Sequence, residues 1–279
     1  MSVASPMASL VRQADEVATG IVRYLEGLPG AEWTRPSDCA GWRVADLVGH
    51  LILVEELLGG SITRGLQGDS GPPPQAAGGL EGWRQWRSSE IARLGGLPPA
   101  ELLGQFAAGL EPMRRALADL AATDASGKSG WHPMGVQVLS WFPGQWLVEL
   151  ALHDWDMRVA TDPNAQVNPA ALPGLGPEMR IRMPRCFKPD PGSGRRGIVR
   201  ISLDGAAPVA WLAHFDPHAL EVLDEGATEP AATIRTDPGS YAIVQTRRRP
   251  ADFFEQRGRW RVDGDSSLAD YLAASFTGY

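Results

Sequence analysis

The sequence has few cysteines, no excess of basic residues and no long apolar run, and each of these absences excludes a class of protein. Its two cysteines, Cys39 and Cys186, lie far apart, which is typical of a reducing compartment rather than a disulfide-stabilised fold. The formal net charge of −7 argues against general nucleic-acid binding, which requires a dominant basic face. No apolar run approaches the roughly 18 residues of a membrane span, and the N-terminal segment lacks the pattern of a signal peptide. We therefore expect a cytoplasmic protein without nucleic-acid or membrane partners.

Amphipathic helices dominate the first part of the chain. At 279 residues, with 43% apolar residues, the chain is long enough for two domains that each bury a core. Apolar residues recur at helical spacing over four principal segments, namely 9–28, 43–60, 99–122 and a stretch within 137–161. A further segment at 81–94 follows a Pro/Gly-rich loop or insertion at 66–79. Four helices of this length predict an antiparallel four-helix bundle over residues 1–165.

The composition changes after this bundle. Residues 166–196 are rich in Pro and Gly and contain a basic cluster, so we interpret them as a linker. Beyond it, short segments alternate apolar and polar residues, which predicts strands at 197–204, 207–215, 231–236 and 258–265. The segments 239–249 and 267–276 have helical spacing. The fold class is therefore α+β with two domains, the second being a small α+β domain at 197–279.

Three side chains that commonly bind metals are predicted to converge inside the bundle. His50 lies on the same helical stripe as the apolar residues that should face the core. Glu149 stands in the apolar run WLVELAL, where an unpaired charge would be expensive to bury, and His153 follows one turn later on the same face. Two imidazoles and one carboxylate leave coordination positions open, as in catalytic metal sites. Zn²⁺ fits such a site most simply, although Ni²⁺ fits as well.

The same residues permit other interpretations. His50 fits the role of a hydrogen-bonded core histidine, and Glu149 that of an ion-pair partner of an arginine such as Arg43. Asp156 or Asp154 could orient an imidazole by accepting a hydrogen bond from the ring nitrogen that does not bind the metal. Cys39, at the mouth of the second helix, is a rival nucleophile through which the protein would supply its own thiol.

The segments around these candidates resemble the metal-binding motifs of a known family. The run PSDCAGWRVADLVGH, with Trp42 eight residues before His50, and the run ELALHDWDMRVATD resemble the motifs of the DinB-like superfamily. More narrowly, they resemble the mycothiol-dependent maleylpyruvate isomerase family, over about residues 8–165. The resemblance implies that His50, Glu149 and His153 are the metal ligands and that mycothiol is the thiol cosubstrate. The tail is similar to the family's small domain of sterol-carrier-like fold, which implies that Arg248 is contributed to the site.

The resemblance implies a metal-activated thiol that reacts with an organic electrophile. The helix after His50, LILVEELLGG, offers no basic group for a small dianionic acid, and several tryptophans and the insertion at 66–79 suggest a bulkier substrate. The tryptophans concerned are Trp83, Trp86, Trp141 and Trp146. These features favour an S-transferase in which Asp156 supports the site and Arg248 binds an anionic part of the thiol or the substrate. The alternatives are a cis-trans isomerase of the maleylpyruvate type and a non-enzymatic small-molecule-binding protein with a structural metal.

Overall fold

The computed structural model describes residues 6–226 and 228–277 and divides the chain into two compact units between Ala170 and Ala171. The first unit is helical, and the second unit contains a mixed sheet with helices. The predicted order, a helical domain followed by a small α+β domain, is confirmed. Within the described residues, no helix has the length and apolar character that a bilayer crossing requires.

Five helices and a short hairpin form the first unit. The helices are α1 (Pro6–Glu26), α2 (Val44–Leu66), α3 (Gly79–Leu94), α4 (Pro99–Ala122) and α5 (Phe142–Arg158). The hairpin pairs β1 (Ser129–Gly130) with β2 (Gln137–Val138). Helices α1, α2, α4 and α5 pack against one another as the predicted bundle, and α3 packs on α2. The loop predicted at 66–79 contains one short 3-10 turn, Pro74–Ala76, and leads directly into α3.

Helix α5 is buried on nearly every side. Its residues from Phe142 to Met157 are all buried except Glu149, which is partly exposed. Pro143 in the first turn fits there because the first backbone N–H groups of a helix have no partner within it. A helix in this position has no solvent-facing side for polar residues. Every polar side chain on α5 therefore needs a partner inside the bundle.

A five-stranded mixed sheet organises the second unit. Its strands are β3 (Gly197–Leu203), β4 (Val209–Phe215), β5 (Leu220–Leu223), β6 (Ala232–Thr236) and β7 (Trp260–Gly264), in the order β5-β4-β3-β6-β7. Strands β3 and β6 are parallel, and the other neighbours are antiparallel. The helices are α6 (Leu172–Cys186), α7 (Pro238–Gln245), α8 (Ala251–Glu255) and α9 (Ser266–Ala274).

The structure differs from the prediction of a linker at 166–196. Residues Leu172–Cys186 form α6, which belongs to the second unit and packs against α7. Met179 and Met183 are fully buried there, and the Trp211 indole N–H lies 3.3 Å from the Met183 sulfur. The Pro and Gly content suggested a loop, but buried residues at steps of three and four give α6 a face that the sheet domain covers.

Candidate metal centre

The structure brings His50, Glu149 and His153 together. His50 projects from α2, and the other two project from consecutive turns of α5. The Nε2 atoms of both histidines lie 3.4 Å from the same carboxylate oxygen, Oε2 of Glu149. Both imidazoles are 7% exposed, so the donor atoms meet in a largely dry environment. The group has the donor set and the compactness of a site that could hold a metal ion.

A buried carboxylate orients His153. Asp156 is fully buried, and its Oδ2 lies 2.8 Å from Nδ1 of His153, on the side of the ring away from Glu149. The Cys39 thiol donates a hydrogen bond to the same oxygen at 3.2 Å. A carboxylate at Nδ1 favours the tautomer in which Nδ1 carries the proton, which leaves the Nε2 lone pair directed at the centre of the group.

Glu149 is held in a similar way. The side-chain amide of Gln145, one turn earlier on α5, donates a 2.7 Å hydrogen bond to Oε1 of Glu149. This contact leaves Oε2 to face the two imidazoles. Burial alone raises the pKa of Glu149, but the interactions with His153 and His50 outweigh it and hold the pKa well below its ordinary value. The carboxylate is therefore ionised and available as a ligand.

The loop before α2 covers the imidazoles. The indole of Trp42 lies 5.2 Å from the His50 ring and 6.5 Å from the His153 ring, measured between centroids. The backbone N–H of Asp38 donates to the Asp156 carbonyl at 3.1 Å, which ties this loop to the end of α5. Burial is the main reason that the pKa of His50 is lowered. A neutral His50 at physiological pH is the form that binds a metal.

A second group with metal-ligand chemistry shares His153. It consists of Cys39, His153 and Asp156, with the Cys39 sulfur 3.9 Å from Nδ1 of His153. In this group the 2.8 Å contact between Asp156 and Nδ1 is a hydrogen bond that needs the Nδ1 proton. The His50, Glu149 and His153 group fits a metal better, because the two Nε2 atoms both lie 3.4 Å from the same carboxylate oxygen of Glu149.

The remaining residues that the sequence suggested are Arg43, Asp154 and Arg248, and each has different contacts. Arg43 pairs with Asp46 at 2.8 Å, so Arg43, the example given of an arginine partner for Glu149, is wrong. Asp154 faces away from the imidazoles and accepts a 2.7 Å hydrogen bond from Arg158. Arg248 lies just after α7 in the second unit, where it is partly buried, and its role stays a prediction.

Sequence reasoning missed two contributors to the site. Gln145 precedes Glu149 by four residues, which is the spacing of side chains that meet on one helix face, so a signal was present. The contact between Cys39 and Asp156 joins residues 117 positions apart and has no local signal in the sequence.

Comparisons with known proteins agree with this geometry. The family model described as mycothiol maleylpyruvate isomerase N-terminal domain matches residues 14–158, more than half of the chain. A crystal structure of the mycothiol-dependent maleylpyruvate isomerase is similar to this chain with a TM-score of 0.59 and 16% identity, and a mutant of that enzyme gives 0.59 and 15%. Both alignments cover 88% of this chain and 90% of the other. At these identities the two structures support the fold alone.

Two further comparisons add little. A structure of the UbiJ-SCP2 ubiquinone synthesis protein aligns with 38% of this chain and 80% of its own at 18% identity, and its TM-score of 0.24 is too low to argue from. The search of curated proteins found no significant match. The match of the family model over 14–158 is decisive, and the chain belongs to the family defined by the mycothiol maleylpyruvate isomerase N-terminal domain.

Proposed function

We propose that His50, Glu149 and His153 bind a divalent metal ion and that the protein is a thiol-dependent enzyme. The observation that carries this proposal is the position of Glu149 Oε2, 3.4 Å from the Nε2 atom of each histidine. Zn²⁺ suits two imidazoles and a carboxylate, and Ni²⁺ is the second candidate. Among the residues that the structure describes, no fourth His, Cys, Asp or Glu joins this group. Three protein ligands leave a position for a substrate, which favours a catalytic rather than a structural site.

The thiol cosubstrate is mycothiol, as the family suggests. A divalent cation bound at the trio would lower the pKa of a thiol and stabilise its thiolate near neutral pH. The protein keeps the Glu149 carboxylate ionised and the histidines neutral, and it fixes the orientation of these side chains. Asp156 holds the His153 tautomer, Gln145 holds the Glu149 rotamer, and the indole of Trp42 shields both imidazoles from water.

Cis-trans isomerisation of a maleylpyruvate-type acid is the reaction that the family favours. The thiolate sulfur adds to one carbon of an electron-poor double bond, and the π electron pair moves onto the conjugated carbonyl oxygen. The former double bond is now a C–C single bond, and the molecule rotates about it. Return of the electron pair re-forms the double bond and expels the same thiolate, which gives the trans isomer. Thiol is regenerated in each cycle, so catalytic amounts of mycothiol suffice.

S-transfer is the second candidate, and a specific observation favours it. Residues of the loop after α2 and the tryptophans of α3 line a partly open cavity, which suggests an acceptor with a bulky apolar group. In S-transfer the thiolate displaces a leaving group from carbon, the C–S bond persists, and the leaving group departs with its electron pair. One equivalent of thiol is then consumed for each product.

Arg248 provides positive charge for an anionic part of the thiol or of the acceptor. Its support is the resemblance of the segment TRRRP to the family's tail domain, together with its partial burial after α7. A guanidinium binds a carboxylate through two parallel hydrogen bonds, which orients the carboxylate as well as attracting it.

The decisive experiment combines metal analysis with product analysis. The Zn²⁺-loaded protein is incubated with mycothiol and maleylpyruvate, and separately with mycothiol and organic electrophiles, and products are identified by mass spectrometry and NMR. An isomer formed without thiol consumption supports isomerisation, whereas a mycothiol adduct supports S-transfer. Substitution His153→Ala should abolish both the bound metal, measured by atomic absorption, and turnover. An unchanged metal content in that variant, or turnover without thiol, would exclude the proposed chemistry.

A further inference from the structure

A cavity lies between α2 and α3, beside the candidate metal centre in the first unit. Its volume is about 180 Å³, and the apolar part of its lining is formed by Leu53, Leu57, Trp83 and Trp86. The polar part of the lining comes from Glu56, Ser61, Arg64 and Gln75. Leu53 and Leu57 follow His50 by three and seven residues on α2, so they continue the same helix face. The cavity therefore begins one turn along α2 from a proposed metal ligand.

Arg87 is a basic side chain of α3, one turn beyond the Trp83 that lines the cavity. It follows Trp83 by one turn and precedes the buried Ile91 by one turn, so it lies on the face of α3 that packs toward α2. The two helices run antiparallel here. The beginning of α2 lies against the end of α3, since a Cβ added at Gly49 would lie 3.0 Å from Leu94 Cβ. The beginning of α3 lies against the second half of α2, since Trp83 lines the cavity together with Leu57. This alignment places Arg87 opposite the part of α2 just after His50.

Among the residues that the structure describes, the guanidinium of Arg87 has no anionic partner. Its Nε atom is buried without a hydrogen bond, and no carboxylate of residues 6–226 or 228–277 forms an ion pair with it. An unpaired buried donor is costly unless a ligand satisfies it.

We propose that Arg87 and this cavity form the acceptor subsite, in which the guanidinium binds the acceptor's carboxylate and the cavity holds an aromatic or similarly bulky apolar group. This inference rests on the proposed function, because it places the acceptor beside the thiol-activating metal. It also supplies the basic group that the sequence of α2 lacks, from the facing helix α3.

The size and lining of the cavity fit a single ring. A closed apolar cavity of about 150 Å³ is large enough to bind benzene. This cavity is partly open to solvent and measures about 180 Å³, so a ring of that size fits against its apolar side. The rings of Trp83 and Trp86 lie 4.9 Å apart between centroids and present indole surfaces to the space between the helices. Indole surfaces favour aromatic ligands through offset stacking and edge contacts. The expected acceptor is thus an unsaturated organic acid with a ring or branched apolar substituent.

Two variants test the two halves of this subsite. Arg87→Gln removes the charge and keeps hydrogen-bonding capacity. Gly60→Leu fills the cavity from its rim, because Gly60 lines the cavity and an added Cβ there meets no atom within 4 Å. Each has a matched control, Arg84→Gln on the exposed side of α3 and Gly104→Leu at an exposed, equally open position of α4. Both leucine substitutions raise helix propensity, so neither should impair folding.

The probe is trans-cinnamate, with cinnamamide as its neutral analogue. Binding is measured by isothermal titration calorimetry on the wild type, on the four variants and on His153→Ala, each after incubation with Zn²⁺ and measurement of its metal content. Arg87→Gln should weaken cinnamate binding by roughly 10- to 100-fold, as expected for loss of a hydrogen bond to a charged group. Cinnamamide should bind weakly to every form. Gly60→Leu should abolish cinnamate binding, and both controls should match the wild type.

Each contrary result overturns the proposal. Equal affinity of the wild type, Arg87→Gln and Gly60→Leu for cinnamate would show that the ligand binds elsewhere, and so would the absence of binding to the wild type. Loss of mycothiol binding in Gly60→Leu without loss of cinnamate binding would assign the cavity to the thiol. Failure of the metal proposal is distinguishable, because His153→Ala would then retain metal while cinnamate still depended on Arg87 and Gly60.

Discussion

Replacement of Asp156 by asparagine tests whether the candidate metal centre depends on its supporting carboxylate. Asp156 is fully buried, and its Oδ2 lies 2.8 Å from Nδ1 of His153. The carboxylate favours a proton on Nδ1, so that Nε2 remains a lone-pair donor beside Glu149. Asparagine keeps the size of the side chain but removes its charge.

The asparagine amide has two orientations, and both weaken the site. If its NH₂ group faces Nδ1, the imidazole proton must move to Nε2, where it blocks metal ligation. If its oxygen faces Nδ1, the hydrogen bond survives without charge, at about half its strength. Loss of such a supporting contact typically costs about 10- to 100-fold in metal affinity. This corresponds to about 1.4 to 2.8 kcal/mol of binding free energy.

The assay is competition for Zn²⁺ between the protein and a chromophoric chelator at constant pH. Asp154→Asn is the matched control, because Asp154 is equally buried on the same helix but pairs with Arg158 instead of an imidazole. Both variants should lose thermal stability, since each disrupts a buried ionic contact. Only Asp156→Asn should lose metal affinity by about 10-fold or more.

Two results would refute this reasoning. If Asp156→Asn binds Zn²⁺ within about threefold of the wild type, well short of the usual loss, the carboxylate does not set the state of His153. If Asp154→Asn loses as much affinity as Asp156→Asn, the loss reflects general weakening of α5 and not the contact with the imidazole.

Three further predictions concern single side chains. Cys39→Ser should keep thiol-dependent turnover within about threefold of the wild-type rate in steady-state assays, because mycothiol supplies the sulfur. If Cys39 were the nucleophile, the rate would instead fall by at least about 10³-fold. Arg248→Gln should raise KM for mycothiol or for the acceptor by roughly 10- to 100-fold without changing metal content, and an unchanged KM for both would remove Arg248 from the site. Burial raises the pKa of Glu55 well above its ordinary value, with Arg114 opposing and Glu56 adding to the effect. The ionised form of Glu55 is the destabilising one, so the free energy of unfolding falls as pH rises through the folded-state pKa. Glu55→Met should therefore gain about 1–3 kcal/mol in urea unfolding near pH 8 and less near pH 5; an equal gain at both values would contradict this.

The helices and the trio were predictable because their signals are local. Helical spacing identified α1, α2, α4 and α5, and packing of their apolar faces required a bundle. Glu149 and His153 lie four residues apart on one helix, and His50 lies on an apolar stripe, so a shared interior followed without knowledge of the loops. The family motifs selected the same side chains.

Other features depend on contacts between distant parts of the chain and were not predictable in the same way. The composition of α6 suggested a loop, and only its packing in the second unit stabilises a helix that contains Pro177 and Pro184. Strand β5 has four residues, too few for a periodic signal. The role of Arg87 depends on the antiparallel alignment of α2 and α3, which the intervening loop does not specify.

The candidate centre is assembled by hydrogen bonds to the outer atoms of its side chains. Gln145 binds the far oxygen of Glu149, and Asp156 binds the far nitrogen of His153. These hydrogen bonds fix both side chains of α5 before any ligand arrives, so binding does not have to order them. They also explain how an almost fully buried helix carries carboxylates, since each one has a partner that offsets its desolvation. The Oε2 atom of Glu149, which faces two imidazoles at 3.4 Å, is then the point at which a cation gains most from this arrangement.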